Sequence, residues 1–183
     1  MAAFELARAW FLAGRRVDLR ELATALGVSR ATVHRWVGRR DQLLAEILWA
    51  ETASVLDRVT STGRGAAGIA DTIGAFVRTV NASGAFRSFL RREPERALRL
   101  LTTQASLVQS RTIARLADLL AAERLSTPLP VADLAYLLVR IGESFIYTDM
   151  ITGEEPDASK AHAAVTALLS ANPPHPRETS TAS

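Results

Sequence analysis

Apolar residues recur at helical spacing along almost the whole chain. Phe4, Ala7 and Phe11, with Leu6 and Trp10 beside them, predict a first helix over about 3–13, stopped by Gly14. Asp18 with Glu21 three residues later has the capping-box pattern and opens a second helix through Leu22, Ala23 and Leu26. Gly27 closes it, and Ser29 caps a third that runs to about Val37. A long helix follows from near Arg40 to about Thr60, carrying Leu43, Leu44, Ile47, Leu48 and Leu56. Beyond the break at 61–65, helices are predicted over about 67–82, from Pro94, over 107–125, over 133–151 and over 157–170, with Phe86, Phe89 and Leu90 as a short apolar turn. The stretch 133–151 is apolar nearly all round and should be buried on more than one side. Residues 172–183 read as a disordered tail.

No run alternates with the period of a strand, and composition agrees. Ala, Leu and Arg supply 32, 24 and 21 of the 183 residues, all of them good helix formers. The expected fold is all-α: an N-terminal three-helix domain over 1–48, joined by a long helix to a C-terminal helical domain over 49–171. Cysteine is absent, which excludes disulfides and thiol chemistry. The longest uncharged stretch, 161–176, ends in a proline-rich segment, so no membrane span is expected. With no basic leader before Glu5 and Arg8, a cytoplasmic protein is the expectation.

Charge is unevenly placed. The net charge is +3, and between Arg15 and Arg40 seven arginines face only Asp18 and Glu21. All the excess positive charge therefore sits in one short segment, as a polyanion contact requires, although a solvated basic face gives the same count.

That segment also carries the most specific pattern. Two short helices braced for the major groove need a small residue at their crossing, a residue tolerant of positive φ in the turn, a shared apolar core and a capped second helix with a polar outer face. Ala23, Gly27, the set Leu22, Leu26, Val28, Val33 and Trp36, then Ser29, and finally Arg30, Thr32, His34 and Arg35 meet these demands in register. A helix-turn-helix that binds double-stranded DNA is the reading.

The runs Leu22-Ala23, Gly27-Val28-Ser29, Val33-His34-Arg35-Trp36 and Arg40-Asp41-Gln42-Leu43-Leu44 resemble the N-terminal domain of TetR-family transcriptional regulators. His34 and Val37 stand where that family usually has Tyr and Phe, and Gly38-Arg39 replaces its usual serine before the fourth helix. The resemblance implies a homodimeric repressor on a palindromic operator, released by a small-molecule effector. It implies that Arg30 and Ala31 face bases, that Ser29, Thr32 and His34 meet phosphates or bases, and that Arg35, Arg39 and Arg40 hold phosphate, with Arg20 on the flank. Segments 140–147 and 152–156 are similar to a subgroup controlling lactone and quorum-signal breakdown, which implies a lactone-type effector.

For the effector, Phe76, Phe86, Phe89 and Gln104, with Arg140, Glu143 and Tyr147, are the candidate pocket residues: aromatic walls with a few polar anchors suit a small amphipathic ligand. The alternative reading makes Arg140 and Glu143 a polar network inside a dimer four-helix bundle. Dimerisation is assigned to Leu137, Ile141, Phe145, Val165 and Leu169. A same-fold architectural protein without an effector is the alternative. An all-α enzyme would need a cluster of acids or histidines, and His34, His162 and His175 assemble none, so neither catalytic residues, a metal nor a cofactor is expected. Gly63-Arg64-Gly65-Ala66-Ala67-Gly68 fits GxGxxG, but a helix rather than a strand precedes it, so it reads as an inter-helix loop.

Overall fold

The computed structural model describes residues 2–60, 63–103, 106–125 and 127–170. Among them every regular element is helical, and the predicted tail at 172–183 lies outside them.

Three short helices come first: α1 (Ala2–Leu12), α2 (Leu19–Ala25) and α3 (Arg30–Val37). The Asp18 carboxylate caps α2, accepting from the backbone N–H of Arg20 at 2.7 Å and of Glu21 at 3.2 Å, and these bonds hold its pKa below the ordinary value. Glu21 does not complete the capping box; its carboxylate lies 3.6 Å from Arg15. Ser29 Oγ caps α3 by accepting from Thr32 N–H at 3.1 Å. Between the two helices Gly27 takes φ +65°, a backbone that side-chain-bearing residues rarely adopt. Leu22 and Val33 are fully buried where α2 and α3 meet, and Ala23 is 5% exposed beside them. Trp36 is not part of that core. It is 54% exposed, because Val33 and Val37 form the inner edge of this short helix and leave the indole on its flank.

Helix α4 (Arg40–Val59) is the shaft between the two halves. Its Leu43, Leu44 and Ile47 complete the N-terminal core, and its later turns pack on α5 (Gly65–Ala82) and α8 (Leu107–Glu123). Phe86, Phe89 and Leu90, expected in a turn, lie on a helix, α6 (Gly84–Arg92), started by the Ser83 cap. Pro94 then opens α7 (Pro94–Thr102) as predicted. Helix α9 (Val131–Ile146) ends earlier than its apolar run suggests. The Ser144 and Thr148 hydroxyls donate back to the carbonyls of Arg140 and Ser144, and the chain breaks at Tyr147 before a single turn, α10 (Thr148–Ile151). The last helix, α11 (Ala158–Ser170), lies along α5 and α9. A side chain at Gly74 would come within 2.9 Å of His162 Cβ, so this glycine is what lets α5 and α11 approach so closely.

Val165 is fully buried inside that packing. It belongs to the protomer's own core, which corrects its assignment to a dimer face. No helix among the described residues is long and apolar enough to cross a membrane.

Candidate functional site

Two regions combine the sequence's candidate residues, and α4 joins them. The first is the outer face of α3. Arg30, Ala31, His34, Arg35 and Arg39 are exposed or partly so there, with Thr32 half-buried and Arg20 exposed on neighbouring α2. Ser29 is exposed too, but its hydroxyl is already engaged with the Thr32 backbone and hydroxyl, the latter at 2.9 Å. The capped turn of α2 and the Gly27 turn fix this face relative to the core, so the sequence of the turn dictates the direction in which the arginines project.

The ion pairs sharpen the charge asymmetry. Asp41 is taken by Arg96 at 2.8 Å and Arg99 at 3.0 Å, Glu46 by Arg111 at 3.1 Å, and Glu51 by Arg8 at 2.6 Å. Arg15 lies over the Trp10 ring, 4.3 Å from its centroid, and near Glu21. Among the described residues, Arg20, Arg30, Arg35 and Arg39 have no acidic ion-pair partner, and these are the arginines on or beside α3. Asp41 and Glu46 are answered by arginines of the C-terminal half, and Glu21 and Glu51 by Arg15 and Arg8, away from α3.

Arg40 is the exception. The resemblance assigns it to phosphate, yet its side chain is 15% exposed and points inward. Its Nε donates to Val17 O at 2.5 Å, and its two terminal nitrogens meet both oxygens of Glu93 at 2.7 and 2.5 Å. Arg96 also bonds Glu93. Hydrogen bonding to Arg40 is the main reason the Glu93 carboxyl falls to about 2. A guanidinium held on two sides in this way is not free for DNA, so Arg40 is corrected from a phosphate contact to a tie between the α4 start, the α1–α2 loop and the α6–α7 junction.

The second region is a partly open cavity of about 190 Å3 bordered by α4, α5, α8 and α9 and reaching α1 and α6. Phe76, Phe86, Glu143 and Tyr147 line it as expected. Phe89 does not: it is 2% exposed, its ring set edge-on against Phe11 with centroids 5.7 Å apart, which seals the α1–α6 contact. Arg140 stands outside the wall on the exposed side of α9 and bonds Glu143 at 2.5 Å. Gln104 lies outside the described residues.

Sequence reading missed the α4 wall, formed by Leu48, Glu51, Thr52 and Val55, and the α8 residues Gln109 and Thr112. Leu48, Thr52 and Val55 share one face of α4, and a threonine within that apolar stripe was the available signal. Burial pushes the Glu143 carboxyl up to about 7 even though Arg140 pulls the other way, and burial with the nearby Glu143 charge pushes the Tyr147 phenol up as well. Both groups are therefore able to donate hydrogen bonds into the cavity near neutral pH. No group of three or more potential metal ligands occurs among the described residues.

On the opposite side of α9, Leu137 is 37% exposed and Ile141 and Phe145 are half-buried, while Tyr136, 49% exposed, shares the helix face of Glu143 and Tyr147. Leu169 on α11 is half-buried as well.

With this geometry in place, comparison with known proteins is informative. The family described as "Tetracyclin repressor-like, C-terminal domain" matches residues 64–170. The R. erythropolis transcriptional repressor QsdR, from the TetR family, is similar over 95% of each chain, with 29% identity and a TM-score of 0.84. The TetR family repressor AlkX from a Dietzia species, implicated in biodegradation of n-alkanes, shares the fold over 92% of this chain and 93% of its own, at 23% identity and a TM-score of 0.65. No curated protein sequence is found similar to this chain.

Proposed function

The chain belongs to the TetR family of transcriptional regulators, and from that membership we propose that it is a homodimeric repressor that leaves its operator when a small molecule fills the C-terminal cavity. Arg30 and Ala31 read base edges in the major groove, Arg30 through two hydrogen bonds to a guanine. Thr32 and His34 meet phosphates or bases, with Ser29 at the helix start. Arg35, Arg39 and Arg20 neutralise phosphate and set the register. Leu137, Ile141, Phe145 and Leu169 form the dimer interface, so that two copies of α3 meet half-sites one helical turn, about 34–36 Å, apart or somewhat more.

The observation that carries this reading is the reach of the cavity. It is walled on one side by α9 and on the other by Phe11, Leu12 and Phe86, so an occupant touches both the C-terminal helices and the first helix of the DNA-binding domain. Leu101 of α7 also lines it, and the Glu93 that ties α6–α7 to Arg40 lies between Phe86 and Leu101 in the chain. A ligand that shifts α6 or α7 thereby moves α3 through α4 and the α1–α2 loop, which is the differential contact that linkage requires. An architectural protein has no use for such a cavity. The similarity of 140–147 and 152–156 to regulators of lactone breakdown supports a lactone-type effector.

Sheared chromosomal DNA from the source organism, retained by the purified full chain and sequenced, tests the proposal. Retained fragments sharing one inverted repeat are the expected result. Retention with no shared sequence would contradict a specific repressor.

A further inference from the structure

On the α9 wall of the cavity, Tyr147 and Glu143 have hydrogen-bonding capacity that the protein leaves unused, as does the Thr52 hydroxyl on α4. Tyr147 is 6% exposed and lines the cavity, and among the described residues its hydroxyl has no protein hydrogen-bond partner. One turn earlier on the same helix face, Glu143 gives one carboxylate oxygen to Arg140 at 2.5 Å and keeps the other free. Most of the wall's other polar groups are committed. Thr79 and Thr112 donate to carbonyls of their own helices, Ser83 caps α6, and Glu51 is paired with Arg8. Arg58 is exposed at the rim and bonds Ser54.

The Tyr147 hydroxyl therefore has a proton to donate to whatever fills the cavity. The charges around it restrict what that can be. Glu143 lines the cavity while Arg140 answers it from outside the wall, so a cationic head group must compete with Arg140 for the Glu143 carboxylate and an anionic one meets that carboxylate directly. An uncharged oxygen meets neither penalty and takes the Tyr147 hydroxyl proton directly.

We infer that the effector is an uncharged, mostly hydrocarbon molecule whose carbonyl oxygen accepts a hydrogen bond from Tyr147, with its apolar body against Phe76, Phe86 and Leu48. Ketones, esters, lactones and amides share this chemistry. The inference rests on the effector-responsive reading above. It commits the polar end of the ligand to the α9 side of the cavity and the apolar end to the α4–α6 side.

The test is calorimetric binding of three ten-carbon probes, 2-decanone, decylamine and decanoate, to the full-length protein, with Y147F and E143Q alongside. The expected result is 2-decanone binding tightest to the wild type, weakened about tenfold in Y147F, and decanoate gaining about tenfold in E143Q, where Arg140 is left without its counter-charge. An unliganded Tm of Y147F within a degree or two of wild type separates a missing hydrogen bond to the ligand from a damaged fold. Decylamine or decanoate binding more tightly than the ketone, no ketone binding, or equal ketone binding by Y147F would overturn the assignment. Operator affinity measured with saturating 2-decanone keeps the two readings apart. Ketone binding that depends on Tyr147 but leaves operator affinity unchanged supports the head-group assignment and removes the effector role.

Discussion

Arg40, at the first position of α4, and Glu93, between α6 and α7, face each other through both terminal guanidinium nitrogens and both carboxylate oxygens, at 2.7 and 2.5 Å, with side chains only 15% and 12% exposed. The pair spans the two halves of the molecule. Its energetic weight is readable from acid titration. Glu93 falls from the usual 4.5 to about 2 in the folded chain, so its contribution is fully present above about pH 4.5 and is lost as pH falls towards 2. A shift of that size corresponds to about 3 kcal/mol. Glu93→Gln should lose a comparable amount of stability at pH 7 and flatten the acid limb, as measured by urea unfolding at pH 3, 5 and 7.

The same pair changes what the N-terminal arginines are expected to do. Arg35→Ala should lower the slope of log affinity against log salt by about 0.9 for each phosphate that Arg35 neutralises. Arg40→Ala should leave that slope unaltered while lowering the Tm. Salt titration of operator binding separates the two.

Glu143 predicts the opposite pH dependence. Its pKa rises to about 7 on folding, so between about 4.5 and 7 the folded chain binds more protons than the unfolded one. The group's contribution is therefore greatest below that window and declines as pH rises through it. Relative to Glu143→Gln, wild type should lose roughly 2–3 kcal/mol between pH 5 and 7.5 in paired urea titrations.

Leu137 is 37% exposed on the outer face of α9 next to the exposed Tyr136. Leu137→Glu places a charge where the proposed dimer would bury it, which is strongly unfavourable. Light scattering should show monomers at concentrations where wild type is dimeric, with operator affinity reduced at least a hundredfold.

The sequence carried the boundaries of α2, α3 and α4 because capping and turn chemistry are local: Asp18, Gly27 and Ser29 act on neighbours within a few residues. Phe76, Phe86, Glu143 and Tyr147, all named from the sequence, line the cavity, and Glu143 and Tyr147 stood out because polar positions on a buried helix break an apolar pattern. Arg40, Phe89 and Val165 were misplaced for the complementary reason. Each is decided by a partner far along the chain, Glu93, Phe11 and the α5–α11 packing respectively, and no local spacing encodes those distances. Trp36 failed more simply: an eight-residue helix has too few turns for apolar spacing to separate its core edge from its flank.

The measurement that addresses the central claim most directly is selection of bound duplexes from a random pool by the full chain, run in parallel for wild type and Arg30→Ala. Wild type should enrich an inverted repeat with half-sites one turn or slightly more apart, and Arg30→Ala should enrich the same repeat with base preference relaxed at one symmetric pair of positions. Absence of any enriched sequence, or an identical site from both proteins, would contradict a dimeric repressor reading DNA through α3.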